Sequence, residues 1–375
     1  MLTTLGVIAP TYDDSAFGSL TQSRNISMLP YGCRYRFLDF PLSNMTDHGI
    51  RTVAIYPGKK IRSHMDHLAM GAPWNLNRRF NGLFLFPPTV SEDAINKYGE
   101  MAEFKSTADF FERSREENVL YYRSGILNKV DLSGLQATFR SSGADAAVVY
   151  RPVHDADMEY IGMQRLFFDE EEHLENLGYH YGSDVDVNLY MNLILLKKDA
   201  FRKLVRLSME RGDVSTMEDA LFKYRQKFEI IGYKYDGFFD VINNIKNYYD
   251  ANMRLLDPEH YEEVFYRGGK IYTKTKDEPS SFYTQNGSVK NSLLANGSVI
   301  YGSVENSLIF RGVTIEAGAT VKNSIIMQKC CIRKDAVVVN SILDKFVTVG
   351  EGEHLIGSAQ QPYVLQKNQR IEADE

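Results

Sequence analysis

Nine basic side chains crowd the stretch 24–79: Arg24, Arg34, Arg36, Arg51, Lys59, Lys60, Arg62, Arg78 and Arg79, against Asp39, Asp47 and Asp66. Guanidinium groups hold phosphate through paired, charge-assisted hydrogen bonds. A net-positive stretch inside a chain of net charge -6 therefore suits a small anion, with solvated surface charge or an interface as the other reading for each arginine taken singly. His64 and His67 flank Asp66 and offer two metal donors three residues apart, but no further ligand stands nearby, so they read as surface. The three cysteines, Cys33, Cys330 and Cys331, fit neither a disulfide framework nor a C-x-x-C metal site, which suits a reducing, cytoplasmic setting.

The elements that must position these groups fall into two kinds. Near the C-terminus, Val-x-Asn-Ser-(Leu/Ile)-(Leu/Ile) starts four times, at Val289, Val304, Val321 and Val338, with starts 15, 17 and 17 residues apart. Within each period the aliphatic positions step by five or six, as in Val304, Ile309 and Ile315. A helix needs an apolar residue every three or four positions; this spacing puts one on each side of a triangular prism, the pattern of a left-handed parallel β-helix of hexapeptide type. One such coil cannot bury its apolar side, whereas stacked coils share an aliphatic column, and the repeated Asn-Ser pairs are placed to form ladders. Cys330 and Cys331 fall inside this repeat, so at least one should be buried and inert. All eight histidines lie outside 284–350, which removes the base that β-helix acyltransferases place between coils.

The first two thirds alternate short Val-, Ile- and Tyr-rich runs with stretches of helical period. Strands are expected at Leu5–Ala9, Thr52–Tyr56, Val119–Tyr122 and Ala146–Tyr150, a helix at 131–140, and a closing helix over 243–256 ended by Asp257-Pro258. Residues 257–283 are polar and read as a connection. The fold class is α/β: a Rossmann-like domain over 1–256, the connection, and a β-helix with its tail over 284–375. At 375 residues, with 43% apolar and 25% charged side chains, the chain has the length and composition of a folded two-domain protein. Its acidic balance gives no global field for nucleic acid or anionic membrane, and no apolar run has the roughly 20 residues a membrane span needs.

The segment Arg34-Tyr-Arg-Phe-Leu-Asp-Phe-Pro-Leu-Ser-Asn-Met-Thr-Asp-His-Gly-Ile-Arg51 resembles the (K/R)-(F/Y)-R-(I/L)-(I/L)-D-F-x-L-S-N-x-x-x-x-G-I-R stretch of the ADP-glucose pyrophosphorylases. Asp236-Gly-Phe-Phe-Asp-Val241 through Tyr249-Asp-Ala-Asn252 is similar to that family's W-x-D-V-G-T…Y-x-x-A-N block, and with the β-helix the resemblance covers nearly the whole chain. It implies a GT-A-like nucleotidyltransferase domain and the synthesis of ADP-glucose from ATP and glucose 1-phosphate. The family uses a Gly-rich loop for the triphosphate, a lysine for the sugar phosphate and paired aspartates for Mg2+.

Against that pattern the departures are systematic. The family's G-G-x-G-x-R-L reads Ala9-Pro-Thr-Tyr-Asp-Asp-Ser-Ala-Phe-Gly-Ser-Leu20, with no glycine cradle and with Asp13 and Asp14 set to repel a triphosphate. R-A-K-P reads Arg24-Asn-Ile-Ser27, so Ile26 replaces a substrate-facing lysine. G-D-H-(I/V)-x-K-x-D reads Ser124-Gly-Ile-Leu-Asn-Lys-Val-Asp131, which puts Gly125 where the metal-binding aspartate belongs and leaves Asp240 as a vestigial second carboxylate. E-K-P reads Glu175-Asn-Leu177 and S-M-G-x-Y reads Tyr190-Met-Asn-Leu-Ile194. Losing one central electrostatic group costs on the order of a hundredfold to a thousandfold in rate, so five losses together predict negligible turnover.

The combination resembles the non-catalytic, regulatory GlgD-type subunits of bacterial glycogen biosynthesis. That resemblance implies a catalytic GlgC-type partner and a phosphorylated small-molecule effector. It also implies no catalytic or metal-binding residues here, no tightly bound cofactor, and Mg2+ only in the partner; homo-oligomers are left open for the isolated chain. Arg24 and Arg36 match family positions that hold phosphorylated effectors, and Arg333, with Lys334, is a weaker candidate in the β-helix. The competing readings are an active nucleotidyltransferase with relocated metal ligands and, on the β-helix alone, an acyltransferase.

Overall fold

The computed structural model describes residues 3–10, 14–155, 158–285 and 287–372. The chain forms two compact units, one from residues 1–12 and 41–239, the other from 13–40 and 240–375.

The first unit is a nine-stranded mixed sheet with helices. Its order is Leu174–Tyr179, Gln164–Phe168, Asp186–Lys197, Asn118–Tyr122, Thr4–Ile8, Thr52–Ile55, Gly82–Leu85, and Ala146–His154 pairs with both Asp186–Lys197 and Ile230–Lys234. All four strands expected from the apolar runs form within a few residues of their expected bounds. Thr4–Ile8 runs parallel to both neighbours, and each crossover is long enough to carry helices. Asp186–Lys197 runs antiparallel to Asn118–Tyr122, so the sheet is Rossmann-like without being wholly parallel. The helix Leu132–Ser142 starts where Asp131 accepts a hydrogen bond from the Ser133 amide and ends at Gly143, whose φ of 72° is the left-handed cap that glycine adopts at low cost. Leu5, Val7, Val119, Tyr121, Val148 and Ile194 form the centre of its core.

The second unit is built on the β-helix: three parallel sheets of six, five and five short strands. Pairing partners lie 15 or 17 residues apart through the repeat, as in Val289↔Val304 and Val304↔Val321. The inward columns Ile300–Ile315–Ile332–Val349, Val304–Val321–Val338–Leu355 and Ile309–Ile326–Leu343–Leu365 make one aliphatic core. The expected ladders are present. Asn291, Asn306, Asn323 and Asn340 turn the corner at φ of 41–48°, a region asparagine tolerates better than most residues. The hydroxyls of Ser292, Ser307 and Ser324 each accept the amide of the serine one coil on, at 3.1–3.2 Å.

One outer face of this prism is also buried. Leu308, Ile325 and Ile342 alternate with the inward column and are nevertheless inaccessible. Residues of 14–40 and of the helix Ile245–Arg254 cover that side: the Cys33 thiol reaches the Leu293 carbonyl, and the Tyr249 hydroxyl donates to the Asn323 carbonyl at 2.6 Å. This is why the units do not divide at residue 256 as chain order suggested; an apolar sheet face recruits a segment from the far end of the chain.

The expected connection 257–283 also starts differently. Asp257 does not end the helical region but caps a further short helix, Pro258–Glu262, with proline in its first turn. A π-turn follows at Glu263–Arg267, where Val264 and Phe265 are buried and Phe265 stacks on Tyr35 with ring centroids 4.9 Å apart. The few apolar residues of this polar stretch, among them Val264, Phe265 and Ile271, show no period. Among the described residues, no helix is long and apolar enough to cross a membrane.

Candidate functional site

Several positions that the nucleotidyltransferase pattern assigns to chemistry lie among the described residues. Gly125 sits in the turn between the strands Asn118–Tyr122 and Ile126–Asn128 at φ of 128°, a conformation that an L-residue with a side chain rarely adopts. An aspartate therefore cannot be restored there without rebuilding the turn. Arg123, two residues earlier, donates to Glu100 Oε2 at 2.6 Å, to both Glu218 oxygens at 2.8 and 2.9 Å, and to the Pro10 carbonyl at 3.0 Å. The Tyr121 hydroxyl lies against both carboxylates, and the Met217 amide donates to Glu100. Burial pushes the Glu100 carboxyl up to about 7, with Arg123 opposing and Glu218 adding to the shift. These two carboxylates are spent on an arginine, an arrangement that fits no divalent cation. Residues 11–13, which carry the missing glycine cradle and Asp13, lie outside the described residues.

The sugar-phosphate positions keep a backbone and lose its chemistry. Asn192, where the family pattern has glycine, takes φ of 56° inside a register shift of its strand, and its carbonyl accepts the Arg123 amide at 3.0 Å. Around it Tyr190, Met191, Leu193 and Ile194 are all buried. Glu175 is exposed on the bulged strand Leu174–Tyr179, its carbonyl accepting from Arg225.

Asp240 belongs to the second unit. It is buried, pairs with Arg254, accepts from the Tyr31 hydroxyl at 3.3 Å and lies 3.5 Å from His260 Nε2. Its carboxylate fixes the segment 30–36 and the helix Ile245–Arg254 together, and it offers no open coordination position. With Gly125 in the other motif, the residues present do not fit the Mg2+ pair of the catalytic pattern.

His64, expected at the surface, is instead buried at 1% exposure in the short helix Arg62–Leu68, and burial pushes its imidazole down to about 4. Spacing alone cannot say which face of a helix turns inward. His67 is half-buried beside Trp74, and Trp74 is core, whereas Phe80 and Phe84 are exposed.

The basic residues tell a different story. Arg24 is buried, and its Nη2 donates to both oxygens of Asp344 at 2.7 and 2.8 Å, while Nη1 reaches only the Met327 sulfur at 3.9 Å. Side-chain exposures of 3% and 1% make this a desolvated ion pair across 320 residues of sequence. Arg36 donates through Nη1 to the Met28 carbonyl, and its amide is held by Asp39. Burial, then the neighbouring Arg24, lower its guanidinium to about 10. Lys345 follows Asp344 directly, with its amide on the carboxylate at 2.7 Å. Its amine is pushed down to about 6 by burial and by Arg36 and Arg24. Arg311, two coils earlier at the same register, is likewise lowered by burial, and feels Glu278 and Arg34. Between them Gln328 has a buried Oε1 with no partner among the described residues. Arg24 and Arg36 thus lie close enough to act on each other and on Lys345. Arg333 does not join them: it is exposed at another corner of the prism, next to Cys331 and Glu316.

The comparisons with known proteins agree with this architecture. Residues 278–362 match the family model described as GlmU-like, C-terminal hexapeptide. The chain is 34% identical over 363 residues to the glycogen biosynthesis protein GlgD of Bacillus subtilis (strain 168), covering 97% of this chain and 95% of that protein. The chain belongs to the GlgD family. A second GlgD, from Geobacillus stearothermophilus, is 34% identical over 318 residues, 84% of this chain and 82% of that one. The glucose-1-phosphate adenylyltransferase of Clostridium perfringens (strain SM101 / Type A) is 28% identical over 316 residues, 82% and 80% of the two chains. As a GlgD-family chain, this one combines the nucleotidyltransferase fold with a cation cluster that sequence reading found only in part. The missed residues carry a signal nonetheless. Ala295, Phe310, Met327 and Asp344 hold one register position in successive coils, so an aspartate in a buried apolar column demands a cationic partner.

Proposed function

We propose that this chain is a catalytically silent subunit of glycogen biosynthesis that binds a phosphorylated effector and modulates a catalytic, GlgC-type glucose-1-phosphate adenylyltransferase in the cytoplasm. Two kinds of relative support the setting: one carries the words glycogen biosynthesis protein, the other glucose-1-phosphate adenylyltransferase. The observation that carries the silent role is Gly125 at φ of 128° in place of a metal ligand, together with an Asp240 carboxylate committed to Arg254. Phosphoryl chemistry needs a metal to neutralise charge at the attacked phosphate, and these residues supply no pair of ligands for one. Mg2+ then belongs to the partner's site.

Effector binding rests on Arg36, Lys345 and Arg24. Two guanidinium groups, with a lysine that can take up a proton beside them, stand against the carboxylates of Asp344 and Asp39 and supply the donors an anion needs. The test is pyrophosphate-linked synthesis of ADP-glucose by the purified chain, with size-exclusion chromatography of the chain mixed with a catalytic paralogue. The expected result is no turnover alone and co-elution with the paralogue. Turnover at an ordinary enzymatic rate by the chain alone would establish the competing reading, an active transferase with relocated metal ligands.

A further inference from the structure

We propose that Lys345 makes anion capture at this site proton-coupled: its side chain is an uncharged amine while the site is empty, and takes one proton from solvent to become an ammonium as a phosphate or sulfate group is seated against it. The inference rests on the reading of Arg24, Arg36 and Lys345 as an anion site.

The geometry gives the amine no reason to be charged. Its Nζ makes no hydrogen bond among the described residues; only the backbone amide of Lys345 touches Asp344. That carboxylate, the nearest opposite charge, is already held through both oxygens by Arg24. The other groups facing Lys345 are Arg36, Arg24 and Lys367, all cations. Asp39 and Tyr248 also face Arg36, and Asp39 is engaged with the Arg36 amide. A third positive charge in this half-buried place would be opposed by two guanidinium groups that stay charged at neutral pH. Lysine is the member of the cluster able to yield, and its amine is accordingly held down to about 6.

Seating a dianion reverses the balance. The dianion cancels the positive charge that faces Lys345, and the ammonium becomes the favoured form. With a free-state pKa near 6 and a bound-state value restored toward the ordinary lysine range of about 10.4, the site at pH 7.5 takes up close to one proton per anion. Between pH 7 and 8, affinity for an anion that does not itself titrate then falls roughly tenfold, one proton per binding event. Effector response would thereby follow pH as well as effector concentration.

Sulfate is the probe of choice, because it does not titrate in this range whereas the second ionisation of a phosphate lies at about 6. Isothermal titration of the full-length chain with sodium sulfate at constant ionic strength, in Tris and in HEPES, reads the proton count from the difference in heats. The wild type should take up close to one proton at pH 7.5 and lose affinity about tenfold by pH 8.5. Lys345→Arg, permanently charged, should bind with no proton uptake and no such pH slope. Lys345→Met should bind more weakly, also without uptake. Binding by the wild type without uptake, or equal uptake by Lys345→Arg, overturns proton coupling and leaves the anion site standing. Failure of the wild type to bind either sulfate or inorganic phosphate, with Arg36→Gln indistinguishable from it, overturns the anion site and the coupling together.

Discussion

Replacing Asp344 with asparagine tests whether the second unit depends on the pairing of its two chain ends. The substitution keeps the size of the side chain and one oxygen, which can still accept the Lys345 amide. It removes the charge that faces Arg24 at 2.7 Å with both partners almost fully buried. Removing one member of a buried pair costs about 3–5 kcal/mol, because the other charge stays desolvated and uncompensated. Arg36 stands beside the orphaned guanidinium and also loses Asp344 as an offset, so the cost is at least the lower end of that range. At ~1.4 kcal/mol per decade, a local cost of about 3 kcal/mol lowers amide protection roughly a hundredfold. Hydrogen exchange by mass spectrometry on peptides spanning 323–349 and 24–38 is the assay. Peptides of the first unit, such as 118–128, serve as the internal reference. The double change Arg24→Met with Asp344→Leu should recover most of the lost protection, because two apolar side chains leave no charge to desolvate. Loss of less than about tenfold in Asp344→Asn, or no recovery in the double variant, would refute the view that this pair pins the N-terminal segment to the β-helix.

Three further outcomes follow from the same physics. Glu100 is raised above the ordinary carboxylate value, so the folded chain binds more protons than the unfolded one between about pH 4.5 and 7, and its contribution to stability is lost as pH rises through that window. Urea midpoints followed by the fluorescence of Trp74, the single tryptophan, should fall over that range in the wild type and flatten in Glu100→Gln. A slope unchanged by the substitution would assign the titration to another group. In the folded chain, maleimide should modify Cys331 alone, and slowly, because Cys33 and Cys330 are buried and burial pushes their thiols up; rapid labelling of Cys330 would contradict its placement in the prism. Gly125→Asp should yield no ADP-glucose synthesis and a less stable turn, since a carboxylate is added at a positive φ without its partner groups; recovered turnover would show that one ligand was all that had been lost.

The β-helix was legible because its constraint is periodic: an inward aliphatic every five or six residues, four times over, has few other structural solutions. The strands of the first unit were legible for a related reason, as each is a short apolar run bounded by polar helical stretches. Asp240 stood out in the sequence only as a vestigial second carboxylate; its contacts to Arg254 and Tyr31 are set by the fold. What escaped is set by long-range pairing. No local pattern says that residues 14–40 leave the first unit, that Val264 and Phe265 are buried, or that His64 turns inward. Arg24 and Arg36 were found as positions of a resemblance, but their partners Asp344 and Lys345 lie some 300 residues away. Only the break in an apolar column, aspartate after phenylalanine and methionine, marked the place, and reading it needs the coil register. Arg333, with Lys334, was a weaker candidate within the repeat, and a place in the repeat does not by itself tell one corner of the prism from another.

The central claim is that a silent chain acts on a catalytic partner through its cation cluster. The most direct test is ADP-glucose synthesis by a catalytic paralogue mixed with the wild-type chain or with Arg36→Gln, each titrated with a phosphorylated sugar effector. The account predicts that the wild-type mixture responds to effector beyond the paralogue alone, and that Arg36→Gln still associates but loses that added response. An undiminished response with Arg36→Gln, or a wild-type mixture that behaves as the paralogue alone, would contradict it.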